Sequence, residues 1–178
     1  DIIIIDNQDP SLTASADQTQ TADNDQCEAL VTVIAPVTAD NCGIATTTND
    51  FNNTSDATDT YPVGTTTLTW TVTDIHGNTS TDTQDITVTD NQDPIAVCQD
   101  ITVNLDGSGN ASITGNDVDN SSTDNCGIAT YTVLPNAFTS ADLGNNTVTL
   151  TITDNSGNTA TCTSTVTVTD LTPPTALC

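Results

Sequence analysis

Two stretches of the chain alternate strictly between apolar and polar residues. In residues 68–73 and again in residues 148–153, every second residue is apolar, which is the pattern of a β-strand with one buried face. No stretch of useful length has the 3.6-residue period of an amphipathic helix. The pattern therefore predicts an all-β fold.

The sequence also repeats itself. Residues 6–10 and 90–94 both read Asp-Asn-Gln-Asp-Pro, and a diverged third copy occupies residues 170–174. Positions in the first part of each copy are offset by 84 residues, whereas Asp74 and Asp154 in the later part are offset by 80. A loop in the second copy is therefore four residues shorter, as loops tolerate and core strands do not.

Repeats of this length, built from short alternating strands, have the size and pattern of an immunoglobulin-like β-sandwich. We therefore expect tandem immunoglobulin-like sandwiches, the first spanning residues 7–90 and the second residues 91–170. We interpret residues 1–6 as the last strand of a preceding repeat. Residues 171–178 resemble the start of the second repeat and are expected to form the first strand of a following one.

The charge of the chain is one-sided. It has 24 acidic residues, no Lys or Arg and a formal net charge of −24. Nothing in such a chain neutralises phosphate, which argues against nucleic acid and against anionic membrane surfaces. No run approaches the ~20 apolar residues of a membrane-spanning helix, so we expect no membrane insertion. The carboxylates must instead be satisfied by water, backbone N–H groups or metal ions.

Acidic and amide residues gather at three places in each repeat: the segment ahead of it, the Asp-Asn-Cys-Gly loop and the turn of the last hairpin. In an immunoglobulin-like sandwich these places lie at the same end. Together they offer the six to eight oxygen ligands that calcium takes, so we predict calcium as a cofactor. The alternative is that these residues only cap tight turns. The predicted ligands are Asp6, Asp9, Asp40, Asn41, Asp74, Asn78, Asp90, Asp93, Asp124, Asn125, Asp154 and Asn158.

Six cysteines in an acidic, lysine-free β protein indicate disulfides and an oxidising, extracellular setting. Cys98 and Cys162 are both missing from the first repeat, and this joint absence predicts that they bond to each other. Cys27 and Cys42 then remain to pair by elimination. A straight strand between those two would hold them too far apart, so their pairing requires the chain to fold back.

Two cysteines have no evident partner in the sequence. We interpret Cys126 as a buried free thiol and expect Cys178 to pair with a residue of the following repeat. Zinc is a weaker alternative, because no Cys-x₂-Cys pair exists and His76 is the single histidine. We expect His76 to be solvated at the tip of its turn.

Several motifs together resemble the hyalin-repeat (HYR) domain: Pro-Val-Gly-Thr-Thr-Thr at 62–67, Val-Thr-Asp at 72–74 with Gly-Asn at 77–78, and Asp-Asn-Cys-Gly at 40–43. The second copy, residues 98–162, resembles a related module. Both kinds recur in tandem in large cell-surface adhesins and extracellular fibres of bacteria of the Bacteroidetes type. The resemblance implies an extracellular immunoglobulin-like fold, an adhesive or stalk role and no catalytic residue.

The sequence thus predicts a structural and adhesive segment of an extracellular filament or cell-surface adhesin stalk. Disulfides and calcium at the acidic linkers would rigidify it. Its expected partners are neighbouring copies or repeats of the same protein and an unidentified adhesion ligand, and we expect no enzyme activity. The alternative is a secreted carbohydrate- or ligand-binding accessory module. Such modules usually present aromatic platforms, and this chain has five aromatic residues, of which Trp70 is assigned to the core.

Overall fold

The computed structural model describes residues 5–171 and 173, and most of its regular structure is β-strand. The chain divides into two compact units, the first ending at Asp90 and the second beginning at Asn91. The predicted all-β class, with tandem immunoglobulin-like sandwiches, is confirmed. In the described part of the chain, no helix has the length and apolar character to cross a membrane. The strands predicted for neighbouring repeats, residues 1–6 and 171–178, lie largely outside the described residues.

The regular elements in the described residues of the first unit, 5–90, are all strands. A four-stranded sheet has the order β2-β8-β7-β5, in which β2 runs parallel to β8, and the antiparallel pairs β1-β4 and β3-β6 accompany it. The strands are β1 (Ser11–Thr13), β2 (Gln18–Thr21), β3 (Glu28–Val31), β4 (Val37–Ala39), β5 (Ile44–Asn49), β6 (Asp59–Pro62), β7 (Gly64–Asp74) and β8 (Thr79–Thr89).

The core of the first unit lies between its four-stranded sheet and the β3-β6 pair. Leu68 and Trp70 on β7 pack in one cluster with Ala29 on β3 and Tyr61 on β6, and all four are fully buried. The assignment of Trp70 to the core is therefore confirmed. Its indole N–H donates to the buried Gln84 Oε1 at 3.2 Å, so the polar atom of this large side chain is satisfied.

The second unit repeats this plan. Its four-stranded sheet has the order β11-β13-β14-β9, with β9 parallel to β14, and β10 pairs with β12. A buried cluster that includes Val133, Phe138 and Leu150 fills the space between the layers. The elements are β9 (Ile101–Asn104), β10 (Asn110–Ser112), α1 (Gly115–Val118), β11 (Ile128–Leu134), β12 (Ala137–Thr139), a 3-10 turn (Ser140–Asp142), β13 (Gly144–Asp154) and β14 (Thr159–Thr169).

A long hairpin closes each unit and carries an aspartate at the end of its first strand. β7 and β8 pair from Gly64 to Thr73, and β13 and β14 pair in the same way. The glycine of each turn adopts a positive φ, +93° at Gly77 and +95° at Gly157, a conformation that glycine reaches without steric cost. The hairpins therefore fix Asp74 and Asp154 at one end of their units.

The predicted disulfide between Cys98 and Cys162 is present, with their Cα atoms 5.9 Å apart. It ties the segment ahead of β9 to β14. At the equivalent positions of the first unit, the Ala14 backbone N–H donates to Asp82 Oδ2 at 2.8 Å. The two repeats thus join the same pair of segments, one by a covalent bond and the other by a hydrogen bond.

The predicted pairing of Cys27 with Cys42 is wrong, because Cys42 is a free, exposed thiol. The Cys27 carbonyl accepts from Val63 N, just ahead of β7, whereas the Gly43 carbonyl accepts from Ile75 N, just beyond β7. A strand of this length separates its ends by more than 30 Å at about 3.3 Å per residue. Bonded cysteines need Cα atoms within about 7 Å, so Cys27 and Cys42 lie at opposite ends of the unit.

The interpretation of Cys126 as a free thiol is also wrong. Both Cys27 and Cys126 are disulfide-bonded. Comparison of the repeats could not reveal this, because Ala111 occupies the position equivalent to Cys27 and the second copy offers no matching case. Cys178 lies outside the described residues.

Candidate metal centre

The loop between β4 and β5 holds one carboxylate of the candidate site. Asp40 Oδ2 accepts from the backbone N–H groups of Cys42 at 2.7 Å and Gly43 at 2.8 Å. Aspartate is favoured at the first position of such a turn because its side chain accepts from the backbone N–H groups that follow. Gly43 supplies the positive φ of +116° that closes the loop. The backbone N–H groups thus occupy Oδ2 of Asp40 and leave its Oδ1 without a hydrogen bond.

The hairpin turn holds the second carboxylate. Asp74 Oδ1 accepts from the backbone N–H groups of His76 at 2.7 Å and Asn78 at 2.9 Å, while Oδ2 accepts from Asn78 Nδ2 at 2.6 Å. Burial of Asp74 favours its protonated form. The hydrogen bonds from Asn78, His76 and Gly77 outweigh burial and lower the pKa of Asp74 below its ordinary value. The turn therefore presents an ionised carboxylate.

The segment ahead of β1 holds the third carboxylate. Asp6 Oδ1 accepts from the Gln8 backbone N–H at 3.0 Å, and the Asp6 carbonyl accepts from Asn78 Nδ2 at 3.5 Å. The Asp6 side chain is only 7% exposed. This entering segment is therefore folded against the hairpin turn, with its carboxylate directed inward.

The three carboxylates converge. One carboxylate oxygen from each of Asp6, Asp40 and Asp74 lies within 4.8 Å of the other two. Asp6 Oδ2 and Asp40 Oδ1 are buried, and neither receives a hydrogen bond of good geometry. A pair of like charges about 4 Å apart repels by about 4 kcal/mol at an effective dielectric of 20, and the chain has no Lys or Arg to offset this. The arrangement is therefore a concentrated negative site with free oxygen atoms.

In sequence, the second repeat has aspartates at the three equivalent positions, Asp90, Asp124 and Asp154. Asp124 Oδ1 accepts from Cys126 N at 2.8 Å, while its buried Oδ2 receives no hydrogen bond. Asp154 accepts from Asn158 through N at 2.8 Å and Nδ2 at 2.8 Å. The local geometry of both loops is thus reproduced at an independent place in the sequence.

The other predicted ligands lie outside these two groups of acids. Asp9, Asn41 and Asp93 are exposed. Asn78 and Asn158 each direct an amide nitrogen, not an oxygen, at the neighbouring aspartate. Asn125 donates its side-chain nitrogen to Cys126 Sγ at 3.4 Å. In this geometry the three amides orient the carboxylates or their loops.

Sequence reasoning missed a second set of donors beside Asp6. His76 Nδ1 lies 3.5 Å from Asp6 Oδ2, and one ligand atom from each of Asp6, Cys42 and His76 lies within 4.8 Å of the other two. The neighbouring Asp6 carboxylate, then burial, then the charges of the three acids raise the pKa of Cys42. Little in the sequence indicates this set, because elimination pairs Cys42 with Cys27 and because Ser156 replaces His76 in the second repeat.

Comparisons with known proteins give no family assignment. No family model matches the chain, and no curated protein matches it.

Solved structures of cadherin and fibronectin(III)-like domains do match. Human mucin-like protocadherin EC1-2 is similar over 90% of this chain and 98% of that chain, at 14% identity and a TM-score of 0.49. The fibronectin(III)-like modules of Clostridium thermocellum CbhA match over 94% and 100%, at 14% identity and 0.34. Drosophila N-cadherin EC1-4 matches over 90% and 49%, at 15% identity and 0.40. At this identity and these TM-scores, the matches carry no argument about binding or activity.

Proposed function

We propose that the chain is a structural and adhesive segment of an extracellular filament or long cell-surface adhesin stalk, in which each repeat binds calcium at its acidic group and is braced by disulfides. The observation that carries this proposal is the convergence of Asp6, Asp40 and Asp74, with buried oxygen atoms on two of them that receive no hydrogen bond. The hyalin-repeat resemblance supports the adhesive role.

The donor set fits calcium. Two ligands on one ion at 2.3–2.6 Å are separated by at most about 5 Å, and the three carboxylate oxygens lie within 4.8 Å of one another. All are hard oxygen donors, with water and backbone carbonyls to complete the six to eight positions. Magnesium demands a stricter octahedron, and a site assembled from three separate segments meets this less readily.

Calcium at this site would act as a brace. Asp6 belongs to the segment entering the first unit, Asp40 to the β4–β5 loop and Asp74 to the β7–β8 turn. One ion bound to all three would fix the entering segment to two loops and remove the repulsion among the carboxylates. In an array of such repeats, this restraint on the linker would limit bending. The role is therefore one of holding shape and presenting surfaces, with no catalytic step.

The disulfides and charge fit an extracellular location. Disulfides persist in oxidising compartments, and Cys98–Cys162 joins segments 64 residues apart. Sites for carbohydrate usually need exposed aromatic faces, whereas Trp70, Tyr61 and Phe138 are buried here. The structural role is therefore favoured over a ligand-binding accessory module. The proposed partners are neighbouring copies or repeats of the same protein.

Calcium should raise the melting temperature of the chain. Extracellular calcium modules have dissociation constants of about 10⁻⁴–10⁻³ M. With a constant near 10⁻⁴ M, 10 mM calcium would stabilise the bound unit by about 2.7 kcal/mol, which corresponds to a rise of about 11–22 °C for a domain of this size. Differential scanning calorimetry in calcium, in equal magnesium and in chelator measures this and separates it from ionic screening.

Two substitutions sharpen that experiment. Asp40→Asn keeps an oxygen for the Cys42 and Gly43 N–H groups but removes a charge, so it should melt higher than wild type in chelator and lose the calcium response of the first unit. Asp9→Asn changes an exposed acid outside the group and should retain the response. Equal effects of calcium and magnesium on the wild type, or an unchanged calcium response in Asp40→Asn, would refute the proposal.

A further inference from the structure

We propose that Asp6, Cys42 and His76 form a transition-metal site, suited to Zn²⁺, on the first unit and beside the proposed calcium site. This inference goes beyond the proposed function, because its donors are of a different chemical class and only Asp6 is shared. One ligand atom from each of the three residues lies within 4.8 Å of the other two.

The donor chemistry selects the metal. A thiolate, an imidazole nitrogen and a carboxylate oxygen are the three kinds of ligand that zinc takes in proteins. Calcium and magnesium take oxygen ligands, and sulfur and nitrogen donors favour zinc, copper or iron. Three protein ligands leave the fourth tetrahedral position for water.

The geometry needs little adjustment. In a tetrahedral zinc site with bonds of 2.0–2.2 Å, a nitrogen and an oxygen ligand lie about 3.4 Å apart. The observed separation of His76 Nδ1 from Asp6 Oδ2 is 3.5 Å. That carboxylate side chain is more than nine-tenths buried, and its Oδ2 receives no hydrogen bond of good geometry. Asp6 is thus an anchored anionic ligand directed at the two other donors.

Two hydrogen-bonded turns hold the remaining donors, Cys42 and His76, in place. Cys42 belongs to the turn closed by its own N–H to Asp40, and His76 belongs to the turn closed by its N–H to Asp74. Cys42 and His76 are both exposed, so a metal ion reaches them without any opening of the fold. Zinc bound here would join the entering segment to both loops.

The second repeat lacks this set of three donors, and its residues indicate which substitution to use as a test. Its position equivalent to His76 is Ser156, and its equivalent of Cys42 is Cys126, which is disulfide-bonded. His76→Ser therefore gives the first repeat the side chain that the second repeat already accommodates in the same turn.

Cobalt titration of the metal-free full chain tests the inference, because Co²⁺ substitutes for Zn²⁺ and bonding to a thiolate gives a charge-transfer absorption band. We expect this band to saturate at one Co²⁺ per chain and to disappear when Zn²⁺ is added. Cys42→Ser should abolish it, and His76→Ser should weaken binding by more than about tenfold. All samples also carry Cys178→Ser, so that the terminal cysteine does not contribute.

The same titration separates this site from the calcium site. Asp40→Asn should retain the thiolate band, and His76→Ser should retain the calcium-dependent rise in melting temperature. Absence of the band in the protein that carries only Cys178→Ser, or cobalt affinity unchanged in both Cys42→Ser and His76→Ser, would overturn the zinc proposal. Neither outcome bears on calcium binding, which Asp40→Asn tests.

Discussion

Replacing Cys98 and Cys162 together by alanine lowers the free energy of unfolding of the second unit by about 4 kcal/mol. The bond closes a loop with a sequence separation of 64 residues, and the loss of loop-closure entropy from the unfolded chain is worth about this much for a loop of that length. Denaturation by guanidinium chloride, followed by far-ultraviolet circular dichroism, measures the change. A loss below about 1 kcal/mol would show that the disulfide is not a principal brace.

The first repeat supplies a matched control for that experiment. Cys98→Ala with Cys162→Asp copies the residues Ala14 and Asp82, whose hydrogen bond of 2.8 Å joins the same two segments. We expect this variant to recover part of the stability that the double alanine variant loses.

The recovered part should depend on pH. Hydrogen bonds from the Ala14 and then the Thr83 backbone N–H lower the pKa of Asp82. A lowered pKa in the folded state means that the contribution is present above the ordinary aspartate value of about 4 and is lost as the pH falls through the lowered value. The disulfide itself should show no such loss, and identical acid profiles for both proteins would contradict this interpretation.

Trp70→Ala should destabilise the first unit by about 3–5 kcal/mol. Its side chain is fully buried among Leu68, Tyr61 and Ala29, and removal of a large aromatic residue leaves a cavity that its surroundings fill only in part. Chemical denaturation of the full chain should show an earlier first transition. A change smaller than about 1 kcal/mol would mean that this cluster does not hold the two layers together.

A paired substitution separates the volume of Trp70 from its hydrogen bond. The second repeat has Leu150 and Ser164 where the first has Trp70 and Gln84. Trp70→Leu removes the donor to the buried Gln84 Oε1, which adds about 1–3 kcal/mol for an unsatisfied polar atom. Trp70→Leu with Gln84→Ser should recover that part and leave the volume cost.

The hairpins of the two sheets could be predicted from the sequence for a local reason. Alternation with period two depends only on neighbouring residues, so β7 and β13 were evident from residues 68–73 and 148–153. Asp74 and Asp154 end these strands, and the repeat offsets make Asp74 equivalent to Asp154 and Asp40 equivalent to Asp124. The convergence of loops at one end then follows from the sandwich topology.

Features that depend on distant contacts could not be predicted in this way. The free thiol of Cys42 follows from the length of β7, which holds Cys27 at the other end of the unit. The short helix α1 has no periodic pattern. Gly115 is required there because a Cβ atom would lie 2.6 Å from the Tyr131 backbone, a contact that only the folded structure reveals.

The choice among the acidic residues was also beyond the sequence. Asp6 and Asp9 occur in the same motif, yet Asp6 is turned inward beside Asn78 while Asp9 is exposed. By composition alone, Asp6 and Asp9 are equally good candidates for calcium ligands. The contact from Asn78 to the Asp6 carbonyl joins residues 72 positions apart, and no local pattern encodes it.

Calcium binding at Asp6, Asp40 and Asp74 is most directly tested by isothermal titration calorimetry of the full chain. We expect wild type to bind calcium and Asp40→Asn to bind one calcium ion fewer per chain, while Asp9→Asn keeps the wild-type stoichiometry. The same number of ions in wild type and Asp40→Asn, or no saturable binding of calcium to wild type, would contradict it.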